Sequence, residues 1–125
     1  MSNLIKTNSV YYTSASIVAM GKNGKNGKCL IAVDLNDADL PTNVDDPHMT
    51  VLYCNEGIPD QILQQIKLLK IQYLHQLNKT HLSFTLQKWG KESDKIFGEL
   101  YNFCKFIRNK YTKYKSKRLP HVRVR

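Results

Sequence analysis

The sequence predicts an α+β fold, two helices packed on mostly antiparallel sheet. Three observations predict it. Runs rich in β-branched and aromatic residues occur early, at 10–19, 29–35 and 48–54, and a glycine-rich turn between the first two favours a hairpin. Two later stretches carry apolar residues at spacings of three and four, the period of one helix face. An alternating segment separates them and a short one closes the chain. The order is therefore β-β-β-α-β-α-β in a single domain.

"VYYTSASIVA", 10–19, reads as the first strand and "CLIAVDL", 29–35, as the second, joined through "GKNGKNGK". This loop is not a P-loop: Gly21 and Gly27 are six apart, and Cys29, not Ser or Thr, follows Lys28. "NDADLPTNVDDP" is an acid-rich polar loop, and "HMTVLYC", 48–54, is the third strand, ended by "EGIP". Pro59 suits the first position of a helix. Ile62, Ile66, Leu69, Tyr73 and Leu77 then form one stripe, which reads as core packing, with His75 off it in solvent. In "HLSFTLQKWG", 81–90, Leu82, Phe84 and Leu86 face one side and Ser83, Thr85 and Gln87 the other, as in a half-buried strand. His81 reads as structural. Ser93 is the expected N-cap of the second helix, with Asp94 near its positive end. Ile96, Leu100, Phe103, Ile107, Tyr111 and Tyr114 give that helix its stripe; "KSKRLP" ends it and "HVRVR" is the last strand.

The totals narrow the function. A chain of 125 residues, 42% hydrophobic, suits one domain with a modest core. No run approaches the roughly 18 apolar residues that span a bilayer, and the N-terminal stretch lacks the apolar run of a signal peptide. A soluble, cytoplasmic protein is expected, with no membrane partner. Cys29, Cys54 and Cys104 are odd in number and form no CxxC pair, so reduced thiols are expected, not disulfides or structural zinc. The net charge is +9, and no acid follows Lys105. Such a surplus attracts phosphates on nucleic acid, nucleotides or lipids, or is simply a solvated basic helix.

Two segments share a pattern. "PHMTV" begins at Pro47 and "PHVRV" at Pro120, and their histidines are 73 residues apart. Alternation along a strand puts His48 with Thr50 on one face, and His121 with Arg123 on another. If the strands adjoin, two imidazoles, a hydroxyl and a guanidinium converge. One neutral imidazole can take a proton from an attacking oxygen while the other, protonated, gives one to a leaving oxygen. Thr50 and Arg123 can bind the non-bridging phosphate oxygens. The four histidines show no HExxH spacing, and no metal is expected.

These motifs resemble the paired HxTx motifs of the 2H phosphoesterases, the LigT-like group, and the order of elements is similar from about Ser16 to Arg125. The resemblance implies a bilobal fold around a pseudo-twofold cleft. It implies cofactor-free, metal-independent cleavage of 2′-linked, cyclic or 3′–5′ phosphodiesters, with His48 and His121 catalytic and Thr50 on phosphate. The compact size and "WGKESDKIFGELY" are most similar to phage anti-CBASS phosphodiesterases, which degrade cyclic oligonucleotide signals in the host cytoplasm. The implied partners are cyclic di- or trinucleotides or short RNA. In such enzymes an N-terminal tyrosine stacks on a base, which nominates Tyr11 or Tyr12. Trp89, at a strand end, caps either the core or a base. Two departures stand out. Arg123 replaces the hydroxyl of the second motif. Family members also continue beyond this point, so a C-terminally truncated chain is one expectation. Two other readings stay open: an enzyme of the same fold that opens RNA 2′,3′-cyclic phosphates, and a non-catalytic basic module that binds nucleotides or RNA.

Overall fold

The computed structural model describes residues 9–41 and 44–123. Its strands are β1 (Tyr11–Thr13), β2 (Ser16–Gly24), β3 (Gly27–Asp34), β4 (His48–Ile58), β5 (Leu82–Lys88), β6 (Ser93–Phe97) and β7 (His121–Arg123). Two helices, α1 (Asp60–Leu77) and α2 (Glu99–Lys110), complete the α+β architecture. Positions 42 and 43 of the acid-rich loop, and 124 and 125 of the expected last strand, lie outside the described residues.

The strands form two sheets, ordered β1-β5-β6-β7 and β2-β3-β4, and every pairing is antiparallel. Helix α1 covers β2 and β3; α2 covers β5 and β6 and also touches β4. Strand β4, at the edge of the smaller sheet, packs against β7, at the edge of the larger. One contiguous apolar core runs beneath both sheets, from Ile31 and Val51 to Phe84, Phe103 and Ile107. No described helix is long and apolar enough to cross a membrane.

Several elements differ from expectation; β4 runs through the expected breaker to Ile58, and Pro59 stands at the cap of α1, one place before its first residue. The first strand is two, because the chain leaves one sheet and enters the other at Ser14–Ala15. Ala15 takes a left-handed conformation, φ 59°, which costs a non-glycine residue about 1–2 kcal/mol. Side chains compensate locally. The Thr13 hydroxyl accepts the Ala15 N–H (3.0 Å) and donates to Asp37 (2.7 Å), and Asp37 also accepts the Ser14 N–H (2.8 Å). The "GKNGKNGK" stretch is mostly strand, with only Lys25 and Asn26 in the turn. Ser93 caps no helix: it opens β6, which pairs with both β5 and β7. Ile96 is the inward-facing residue of that strand, 1% exposed. Gly98, at φ 103°, then swings the chain into α2, a conformation that favours glycine.

The β2–β3 hairpin tip lies directly on the far end of β4. Asn26 N–H donates to the Glu56 carbonyl (2.8 Å). A Cβ at Gly57 (φ 94°) would stand 2.7 Å from the Gly27 nitrogen, and one at Gly24 would stand 2.4 Å from the Gly57 nitrogen. Gly57→Ala is expected to destabilise the fold by about 1–3 kcal/mol from backbone strain alone, and by more from the clash. Urea denaturation measures it; an unchanged midpoint would contradict this close approach.

Two carboxylates tie the elements together. Glu99, in the first turn of α2, accepts from Lys79 (2.5 Å) and from the Ser83 N–H (2.9 Å); the lysine first, then that N–H, hold its pKa below the usual carboxylate range. At Asp37 burial pushes the pKa up, but the Ser14 N–H and the Thr13 and Ser14 hydroxyls outweigh it, and the net shift is downward. Both carboxyls therefore bind fewer protons folded than unfolded. Their stabilisation is complete above the ordinary carboxylate pKa and fades as pH falls through the lowered folded values. The melting temperature is expected to fall below about pH 4, and Asp37→Asn to flatten part of that decline. A curve equally steep in that variant would count against the Asp37 linkage.

Candidate active site

The two Pro-His segments occupy equivalent places. Each histidine is the first residue of a strand at the edge where the two sheets meet. His48 stands opposite Asp34 and His121 opposite Lys95. In each case the next residue of the partner strand donates its N–H to the proline carbonyl: Leu35 to Pro47 (2.9 Å), Ile96 to Pro120 (3.0 Å). Proline contributes no N–H of its own, so each segment is pinned through its carbonyl.

The rings are held alike too. His48 Nδ1 lies 3.0 Å from the Asp46 carbonyl oxygen, and His121 Nδ1 lies 2.9 Å from the Leu119 carbonyl oxygen. A carbonyl only accepts, so both Nδ1 atoms carry hydrogen. That leaves each Nε2 to exchange a proton with a ligand. Alternation does the rest: Met49, Val51 and Val122 enter the core, fully or almost fully buried, while His48, Thr50, His121 and Arg123 line one shared cavity of about 780 Å³.

Three participants were not legible in the sequence. The first is a β-bulge. Ala32 pairs with Thr50 but Ile31 pairs with Leu52, so β4 carries one extra residue at Val51. Val51 and Leu52 are consequently both buried. The alternation is reset, and Tyr53, 45% exposed, is turned to the cavity. Its hydroxyl donates to the Asn55 side chain.

The second is Arg108, on the buried face of α2 and 4% exposed. Its Nε donates to the Val51 carbonyl (2.8 Å), Nη2 to the Thr50 carbonyl (3.1 Å) and Nη1 to the Arg118 carbonyl (2.7 Å). The first two oxygens belong to the bulge. The third belongs to the residue before Leu119, whose carbonyl holds His121. One guanidinium thus links both histidine-bearing walls. Its rigid fork of donors suits this task, and neutral carbonyls satisfy its hydrogen bonds without cancelling its charge.

The third is the segment 115–118. Lys115 bridges Leu52 of β4, and Lys115, Lys117 and Arg118 line the cavity.

The nominated aromatic residues divide. Trp89 stands edge-on to His121, ring centroids 5.6 Å apart, with the Lys95 amine and the Arg118 guanidinium over its face at 5.3 and 5.6 Å. It joins the site by buttressing the imidazole. Tyr11 and Tyr12 do not join it. They lie on β1, the sheet edge remote from β7; Tyr11 packs on Phe84, centroids 5.5 Å apart, Tyr12 is exposed, and neither lines the cavity. His75 and His81 are exposed on the surface, away from it. Cys104 is buried in the core, which pushes its thiol pKa up to about 11 and leaves it an inert packing residue.

Among the described residues no group of three or more His, Cys, Asp or Glu is placed to hold a metal ion. In comparisons with known proteins, no family model, curated sequence or solved structure matches the chain.

Proposed function

We propose that the protein is a phosphodiesterase of the 2H type that cleaves cyclic di- or oligonucleotides without a metal ion. The observation that carries this reading is the matched presentation of two imidazoles, Nδ1 tied back and Nε2 left over, in one cavity. One Nε2, neutral, takes the proton of the attacking oxygen, a water or a ribose 2′-hydroxyl, as the new P–O bond forms. The other, as imidazolium, gives its Nε2 proton to the leaving oxygen as the old P–O bond breaks. The Thr50 hydroxyl donates to a non-bridging oxygen, and Arg123 supplies the second contact with a charged, longer side chain. Tyr53 offers the aromatic face for a base, a contact worth about 1–3 kcal/mol.

The test is hydrolysis of cyclic dinucleotides and 2′,3′-cyclic nucleotides in excess chelator. Undiminished turnover is the expected result. Turnover that requires a divalent ion overturns the metal-free mechanism. Salt-sensitive binding with no turnover would make the chain a nucleotide-binding module.

A further inference from the structure

We propose that segment 115–118 forms a second phosphate subsite, so that the cleft selects ligands with two phosphates, such as cyclic dinucleotides, over ligands with one. The inference rests on the histidine pair taking the first phosphate.

The cavity holds more cations than one phosphate needs. Arg123 stands beside His121, yet Lys115, Lys117 and Arg118 also line the wall, all from one short segment. That segment is fastened at both ends. Lys115 bridges to Leu52, and its N–H donates to the Thr112 carbonyl (3.3 Å). At the other end the Arg118 carbonyl is gripped by buried Arg108, while the Arg118 side chain lies over Trp89. Backbone held in this way fixes the points from which the two lysines reach, which lowers the part of the ordering cost that the main chain would otherwise bear.

Charge also sets a direction. Asp46 lines the cavity two residues before His48 and disfavours a second anion there. The 115–118 wall has no acid and favours one. The volume, about 780 Å³, lies in the upper part of the range for small-molecule sites, room for more than a mononucleotide.

The experiment is calorimetric titration of the full chain with two cleavage-resistant probes, the phosphorothioate forms of cyclic di-AMP and of 2′,3′-cyclic AMP, over a range of salt. The wild type is expected to bind the two-phosphate probe at least about tenfold more tightly, with the steeper salt dependence. In Lys115→Ala/Lys117→Ala that ratio falls about tenfold and the difference in salt slope shrinks by about one. The control, Lys105→Ala/Lys110→Ala, removes equal charge from α2 outside the cavity and keeps the wild-type ratio. Melting curves verify that both variants fold. An unchanged ratio in the first variant, or an equal fall in the control, overturns the subsite, as does a wild type that binds neither probe. Cleavage of the unmodified nucleotides is scored separately. The expected ratios without cleavage sink the enzyme and keep the subsite; cleavage with an unchanged ratio does the reverse.

Discussion

His121→Ala is expected to lower turnover of a cyclic dinucleotide by about 10²- to 10⁴-fold, the usual contribution of a positioned acid or base. His48→Ala is expected to cost a similar factor, since its ring is held by the same kind of bond to the carbonyl two residues earlier. The two losses will not add in the double variant, because each ring works only when the other is present. Single-turnover kinetics on the three variants, with probe affinity measured alongside, separates lost chemistry from lost binding. Wild-type turnover in either single variant would remove that histidine from the mechanism.

Arg108→Ala is expected to have the largest effect on stability. It leaves three carbonyls without their donor in a site where the present side chain is almost fully buried. Unsatisfied buried polar groups cost about 1–3 kcal/mol each, less where water enters the space left by the side chain. A total loss of about 3–5 kcal/mol follows, a large share of the 5–15 kcal/mol typical of a domain. Arg108→Lys keeps the charge but not the planar fork, and is expected to recover part of the stability and little of the turnover. Urea unfolding and steady-state kinetics on both variants give the comparison. If lysine restores full turnover, the guanidinium geometry is not what sets the spacing of the walls.

The contrast between the histidines and Arg108 shows what the sequence made legible. Pro-His-x-polar-Val is a local pattern with period two, and the alternation it implies survived folding over His48–Val51 and over His121–Arg123. The stripes of α1 and α2 were legible in part for the same reason: Ile66, Phe103 and Ile107 are buried where the period of 3.6 puts them, while Leu77 at the end of α1 is exposed and Tyr111 and Tyr114 lie beyond α2. Ser93 reads as a helix cap because Ile96 and Leu100 are four apart, a helical spacing, although one lies in β6 and the other in α2; Gly98 between them is the signal that separates the two. Arg108 sits in a run of basic residues that looks like a solvated face. Only the long-range approach of α2 to the carbonyls of β4 distinguishes it. Tyr53 was hidden because a bulge is set by pairing with a neighbouring strand, and the composition of β4 does not record it.

That bulge lets both parities of one strand face the same cavity. Upstream of Val51, His48 and Thr50 keep one parity; downstream, Tyr53 keeps the other. Removing this one position would restore plain alternation with Tyr53 still on the open face, whereas the same residues paired without a bulge would turn the tyrosine inward. The extra residue is therefore what lets a tyrosine at odd parity share one cavity wall with a histidine and a threonine at even parity.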